Sequence, residues 1–433
     1  MIKTHPYVKS LMQFMDASPC NFLAVQSMKD ILIANGFTER RLDDKLAWKV
    51  GDKFFITKND SALFAFKLGK KKPDETGFKI IAAHSDSPCF RIKPHAEMHG
   101  EGGIVRLNTE VYGGPILYTW FDRPLSIAGR VIIKGKDALH PKTMLIKIDR
   151  PLMSISHLAI HFNRAVNDGN KLSKQTDMLP IIAKVNDKLE SENMLLKLVA
   201  SELKIKIDEI LDFDLMLYDT EKACLFGLNN EFISCGRLDD LSMAHAGITA
   251  IIEAKDDKAT CVTAIFDNEE TGSGTKQGAG SPVLANILLR LTVASGGNYD
   301  AFSRAIAKSF MISADNAHAF HPNYASKYDP TNHPALGDGP CIKINANCKY
   351  MSDAHSAAIF RSLCEAAGQP FQYFVNHSDV AGGSTLGNIL TGQMDIEGVD
   401  VGNPLLAMHS ARETASVADH IAMIEVMKKF FDK

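Results

Sequence analysis

A chain of 433 residues is long enough for about two to three domains with sizeable cores. Its 48 lysines and arginines nearly balance its 51 aspartates and glutamates, for a net charge of −3, which excludes wrapping of nucleic acid or of an anionic membrane surface. Hydrophobic residues at 45% and charged residues at 23% exclude the disordered, collagenous and coiled-coil classes.

From the amino terminus, Gln13 and Asp16 interrupt the short apolar patches, so no signal-peptide core forms. No later run approaches the ~18 apolar residues that a spanning helix needs, and a cytoplasmic protein is expected. The 8 cysteines are scattered without a C-x-x-C pair, which suits reduced thiols in a packed core better than disulfides or a thiolate zinc site. Val25, Met28 and Leu32 fall at helical spacing before Asn35-Gly36, a helix end. KFFITK (53 to 58) and ALFAFK (62 to 67), separated by Asn59-Asp60-Ser61, read as two strands joined by a turn.

Four later segments share one format, a short apolar run of buried-strand type that stops at residues able to hold a metal. They are FKIIAA before His84-Ser85-Asp86, TCVTAIF before Asp267-Asn268-Glu269-Glu270, SFMISA before Asp315, and NPLLAM before His409. In open α/β sheets ligands bind beyond the carboxyl ends of strands, where loops converge. Asp239, in CGRLDDL, opens a predicted helix whose apolar face carries Leu241, Ala244, Ile248, Ile251 and Ile252.

Between residues 91 and 234 the texture changes. GIVRLNTEVYGGPILYTWF and LSIAGRVIIKG read as β-rich, and VNDKLESENMLLKLVASEL reads as helical. One candidate ligand precedes this block and the others follow it. The expected architecture is therefore a discontinuous catalytic domain, 1–90 and 235–433, interrupted by an inserted domain, 91–234, that serves oligomerisation or covers the site.

His84 and Asp86 stand two apart on an extended segment, where the carboxylate can orient the imidazole for a metal, although H-x-D alone also fits a surface turn. Glu269 and Glu270, on an extended chain, would point in opposite directions and divide metal binding from proton transfer; a bare pair also fits a solvated acidic loop. With Asp239, Asp315 and His409 they form a His/Asp/Glu mixture that suits zinc, manganese or cobalt better than calcium or a structural thiolate site. A shared aspartate can bridge two ions, and the constellation implies hydrolysis by metal-held water.

Other motifs carry less. Gly272-Ser273-Gly274-Thr275-Lys276 lacks the spacing of a phosphate loop. His318 and His321 stand three apart but precede Pro322, and hydrogen-bonding roles suit them better than ligation. His157 and His161 would share a face if helical, yet lack the glutamate of an H-E-x-x-H site.

Seven ordered motifs, IIAAHSDSPCFRIKP, SCGRLDDL, FDNEETGSGTKQGAGS, SADNAHAFHPNY, GPCIKIN, SDVAGGSTLG and LLAMHSARE, together resemble the aspartyl aminopeptidases, a family of dinuclear zinc exopeptidases, over nearly the whole chain. The resemblance implies a mixed-sheet α/β fold, a phosphorylase/hydrolase-like dinuclear zinc peptidase domain with an inserted β-rich dimerisation domain. It further implies that His84 and Asp315 complete one zinc site, Glu270 and His409 the other, and that Asp239 bridges them. Glu269 would be the general base, Asp86 would orient His84, and Lys343 would pair with the acidic side chain of a peptide beginning with Asp or Glu. Two divalent ions, Zn2+ first and Co2+ or Mn2+ as substitutes, are implied as cofactors. So are dimers assembling into a dodecamer, with His161 reaching a neighbouring subunit's site.

Asp240 stands where the family often has Asn, Asn316 where Met is common, and Asn388 where Pro is usual. None of these departures removes a ligand, but they leave substrate choice more open than catalysis. The competing readings are a related two-metal aminopeptidase or amidohydrolase with neutral preference, and a catalytically silent, metal-stabilised assembly protein.

Overall fold

The computed structural model describes residues 4–184, 193–256 and 258–433. The chain divides into two compact units: Met1–Asp86, Ala223–Met408 and Glu413–Lys433 form the larger, and Ser87–Lys222 with His409–Arg412 the smaller.

The larger unit is built on a nine-stranded mixed sheet. In spatial order its strands are Thr38–Arg40, Lys53–Lys58, Ala62–Lys67, Thr260–Phe266, Phe78–His84, Phe310–Ala314, Glu397–Gly402, Cys341–Lys343 and Gln372–Phe374. Side chains alternate between its faces. Phe64, Phe66, Ile80 and Ala82 join the core under helices Val283–Ala294, Tyr299–Ala307 and Leu386–Thr391. Leu63, Ala65, Ile81 and Ala83 join the opposite core under Leu238–Glu253, Ala354–Ala367, Val417–Phe431 and the two amino-terminal helices, Pro6–Ala17 and Asn21–Ala34. Because both faces are covered, the central strands read as near-continuous apolar runs.

Three of the ligand-bearing runs lie side by side at the middle of this sheet. Thr260–Phe266 pairs parallel with Phe78–His84, Phe266 opposite His84, and Phe78–His84 pairs parallel with Phe310–Ala314. Parallel pairing brings their carboxyl ends to one edge. The fourth run behaves differently. NPLLAM contributes only the two-residue strand Pro404–Leu405, which pairs with Ala317–His318 outside the main sheet. Proline has no N–H to offer a central ladder, and the sheet strand nearby is Glu397–Gly402, whose Asp400 and glycines hide it from a hydrophobicity reading.

Residues 223–235 lie in the larger unit, where Phe232–Cys235 pairs with both Cys224–Phe226 and Glu413–Ser416. The smaller unit is an antiparallel six-stranded sheet in the order Lys142–Lys147, Leu125–Ile133, Ile210–Asp219, Cys89–His99, Ile104–Tyr112 and Ile181–Lys184. Its core gathers Phe90, Trp120, Phe121, Ile127 and Leu215, and the helix Met194–Leu203 packs there through Leu195 and Val199. Residues 185–192 of the predicted helical stretch lie outside the described residues. Among the described residues no helix is long and apolar enough to cross a membrane.

Candidate metal centre

His84 ends its strand with a side chain only 1% exposed. Its Nδ1 lies 3.0 Å from the Asp86 carbonyl oxygen and 3.3 Å from the Asp86 carboxylate, so backbone and side chain of one residue both orient the ring. That leaves Nε2 aimed at Asp239 Oδ1, 3.5 Å away, and Asp315 Oδ1, 3.8 Å away. Ligand atoms of His84, Asp239, Asp240 and Asp315 all lie within 4.8 Å of one another, as do those of His84, Glu269 and Glu270.

Asp239 and Asp240 stand at the start of Leu238–Glu253, joined by a cis peptide and with non-helical dihedral angles. Arg237, before them, is left-handed at φ 63° and donates through Nε to the Ser18 carbonyl at 3.1 Å. The helix presses on the sheet at Gly247, where a Cβ would meet Thr263 and Ile81 methyls at 3.1 and 3.2 Å. Asp315 is held just as closely: a Cβ on Gly402 would lie 2.0 Å from the Asp315 carbonyl oxygen.

Glu269 and Glu270 form a 3-10 turn, Glu269–Thr271, and not the extended pair expected from the sequence. Asp86 is the reason. Its two carboxylate oxygens accept from the Glu269 amide at 3.1 Å and the Glu270 amide at 3.2 Å, which bends the chain around them. The glycine-rich stretch that follows folds back onto Asn268, whose Oδ1 accepts from Thr275 Oγ1 at 2.8 Å and Gln277 Nε2 at 2.7 Å.

Lys343 closes its strand with only 3% of its surface exposed, and its Nζ donates to Asp315 Oδ2 at 3.1 Å. Burial pulls its ammonium pKa down, but Asp315, Tyr350 and Asp400 together outweigh that effect, and the net shift is upward. For His84, burial likewise favours the neutral ring, and the surrounding Asp240, Asp239, Asp315 and Asp86 reverse it to a pKa well above the usual value. Burial pushes the Glu269 carboxyl up to about 8, with Asp315, Asp239 and Asp86 adding to it and His84 opposing.

The donor set fits divalent cations. Carboxyl groups of Asp86, Asp239, Asp240, Glu269, Glu270 and Asp315 crowd one imidazole, and Lys343 brings a single positive charge. So much negative charge out of water is stable only when paired, and oxygen donors with an imidazole suit zinc, manganese or cobalt.

His409 opens the stretch His409–Arg412 of the smaller unit, directly after Met408 of the larger, is left-handed at φ 69°, and sets Nδ1 3.0 Å from the Gly114 carbonyl oxygen. The HLAIH segment is loop rather than helix, with His161 exposed. His157 stacks on Phe121 at 3.7 Å and meets Asp122 at 2.7 Å. His321 Nδ1 accepts from the Asn323 amide at 3.3 Å, a capping role. The sequence marked Asp240 and Asn316 only as departures from the family pattern that could tune metal preference or pocket shape, and it gave Glu413 no role; all three are buried here.

The family model described as Aminopeptidase I zinc metalloprotease (M18) matches residues 14–431. A probable M18 family aminopeptidase 2 from Clostridium acetobutylicum is 51% identical over 426 residues, covering 98% of each chain. One of the same description from Pseudomonas aeruginosa is 42% identical over 427 residues, covering 98% of this chain and 97% of its own. Among solved structures, that of the Ape4 and Nbr1 complex matches with a TM-score of 0.95 at 34% identity, covering 99% of this chain and 87% of that one. The S. cerevisiae mApe1 dodecamer matches at 0.85 and 25%, covering 98% and 96%.

Proposed function

Since this chain belongs to the M18 family of zinc metalloprotease aminopeptidases, we propose that it removes an amino-terminal aspartate or glutamate from peptides with two divalent ions, zinc first. The observation that carries this reading is the convergence of His84, Asp239, Glu270 and Asp315, with Glu269 beside them and a buried lysine, Lys343, at the same site. His84 and Asp315 would hold one ion, Glu270 the other, and Asp239 both. His409 would be the remaining ligand of the second site, as the resemblance to the aspartyl aminopeptidases implies.

Two cations held by these residues would supply Lewis acidity and lower the pKa of a water. Glu269 would serve as general base toward the attacking water and return the proton to the leaving amine. Asp86 keeps Glu269 in place through its backbone and His84 in place through its ring. Lys343, already bonded to Asp315, would share its charge with an acidic side chain as well, because a cation in dry surroundings rewards an anion over an apolar group.

The smaller unit would serve dimerisation. Its HLAIH loop leaves Leu158 59%, Ile160 50% and Phe162 81% exposed, an apolar set that favours cover by a second copy. That copy would receive His161 near its own site, within an assembly like the dodecamer named for the yeast protein.

A panel of peptides tests the reading: amino-terminal Asp, Glu, Ala and Leu, and an acetylated Asp peptide, each given to zinc-loaded protein. Fast release from the first two, slow release from the neutral pair and none from the blocked peptide is expected. Leucyl or alanyl release as fast as aspartyl release would replace the acidic preference with a neutral one, and cleavage of the blocked peptide would end the aminopeptidase reading.

A further inference from the structure

We propose that Asp240 and Glu413 are positioning residues of the metal centre, each gripping a ligand residue by its backbone amide instead of its side chain. Asp240, fully buried, accepts through Oδ2 from the His84 amide at 3.0 Å. Glu413, 2% exposed, accepts through Oε2 from the Asp239 amide at 3.1 Å. Asp86 does the same for Glu269 and Glu270. The amides of His84, Asp239, Glu269 and Glu270 are therefore each tied down by a carboxylate reaching from another segment, whereas the Asp315 amide donates to the Val401 carbonyl at 2.9 Å.

The Asp240 tie extends further. Its Oδ1 accepts from Asn316 Nδ2 at 3.1 Å, and the same Nδ2 lies 2.9 Å from the Leu238 carbonyl and 3.1 Å from Ser242 Oγ. Asn316 follows Asp315, Leu238 precedes Asp239, and Asp240 touches His84, so one buried network joins the three residues whose oxygen and nitrogen atoms converge. The two family departures near the centre, Asp240 and Asn316, thus meet as donor and acceptor.

Asp240 also stands close enough to the cluster to be a ligand itself. Both of its oxygens, however, are engaged by His84 and Asn316, which favours positioning over ligation. A carboxylate suits the task better than an amide oxygen. Charge-assisted bonds to an N–H are shorter and stronger, and the extra negative charge behind the ligands deepens the potential felt by a cation.

This inference rests on the reading of His84, Asp239 and Asp315 as metal ligands. Zinc affinity, measured by competition with a chelating dye, is compared for the unchanged chain, Asp240→Asn and Glu413→Gln, alongside the melting temperature of each metal-free form. Both variants should lose about ten- to hundred-fold in zinc affinity while the metal-free chain melts no lower, since each substitution removes a like charge from an acidic cluster. Zinc affinity within about two-fold of the unchanged chain, or affinity and metal-free stability falling together, would overturn the inference. Should either variant not fold, Asn316→Ser withdraws a donor from Asp240 without altering charge. A loss of about ten-fold supports the Asp240 tie, and an unchanged affinity removes it. If the unchanged chain binds no zinc, the metal reading itself fails and this one with it, whereas silent variants of a zinc-binding chain sink this one alone.

Discussion

Asp86 holds Glu269 and Glu270 from behind, one carboxylate oxygen on each amide at 3.1 and 3.2 Å, while its carbonyl faces the His84 ring at 3.0 Å. A single residue thus fixes both the proposed base and a proposed ligand. Asp86→Ala leaves two amides without their acceptor and frees the turn, so kcat should fall by about ten- to hundred-fold and zinc affinity should fall with it. Steady-state kinetics at saturating zinc, beside a zinc titration, checks this; loss of kcat with affinity intact would confine Asp86 to holding the glutamates.

Glu269→Gln keeps the shape of the site and removes the group that accepts a proton. Turnover should drop by about 10² to 10⁴ with zinc content unchanged, as read by kinetics and metal analysis on the same sample. Full activity in this variant would assign the proton to another residue.

Lys343 has two possible tasks, and Lys343→Met separates them. If its ammonium serves the substrate, kcat/KM for aspartyl and glutamyl peptides should fall by about ten-fold or more while alanyl peptides change little. If its bond to Asp315 Oδ2 chiefly keeps that carboxylate in place, all substrates should suffer equally and zinc affinity should drop. Proposed specificity requires the first pattern.

On the far side of the Asp239 helix, His245 is buried between Ser10 Oγ at 3.0 Å and His420 Nε2 at 3.1 Å, and burial lowers its pKa to about 4. A depressed histidine pKa contributes stability that is whole above the unfolded value, about 6.5, and disappears as pH falls through 4. The shift corresponds to about 3 kcal/mol at most. Melting temperature should therefore decline between pH 7 and 4.5 more steeply in the unchanged chain than in His245→Gln, and parallel declines would show that the acid sensitivity arises elsewhere.

Where a buried strand stops at a polar residue, position can be read from sequence. Phe78–His84, Thr260–Phe266 and Phe310–Ala314 are apolar because both sheet faces are covered, so the ionisable groups at or just beyond their ends, among them His84, Asp267, Glu269, Glu270 and Asp315, had to lie at the sheet edge. The same logic misled at NPLLAM, since an apolar run says nothing of whether its backbone finds a ladder. Asp400 shows the reverse failure: it sits in a central strand, satisfied by Thr385 Oγ1 and the Met351 amide at 2.6 Å each, and such pairing leaves no periodic trace. What Asp240, Asn316 and Glu413 bind was illegible for that reason too. Apart from the bonds that Asn316 makes to Asp240 and Ser242, their partners are backbone amides and carbonyls, which every residue carries and no sequence marks.

Equilibrium titration of the metal-stripped chain with zinc, repeated on Asp239→Ala and on His84→Ala, asks most directly whether these side chains form a metal centre. Two ions per chain, both weakened when Asp239 is lost and one chiefly weakened when His84 is lost, is the expected result. Zinc binding of equal strength and stoichiometry in all three proteins would contradict it.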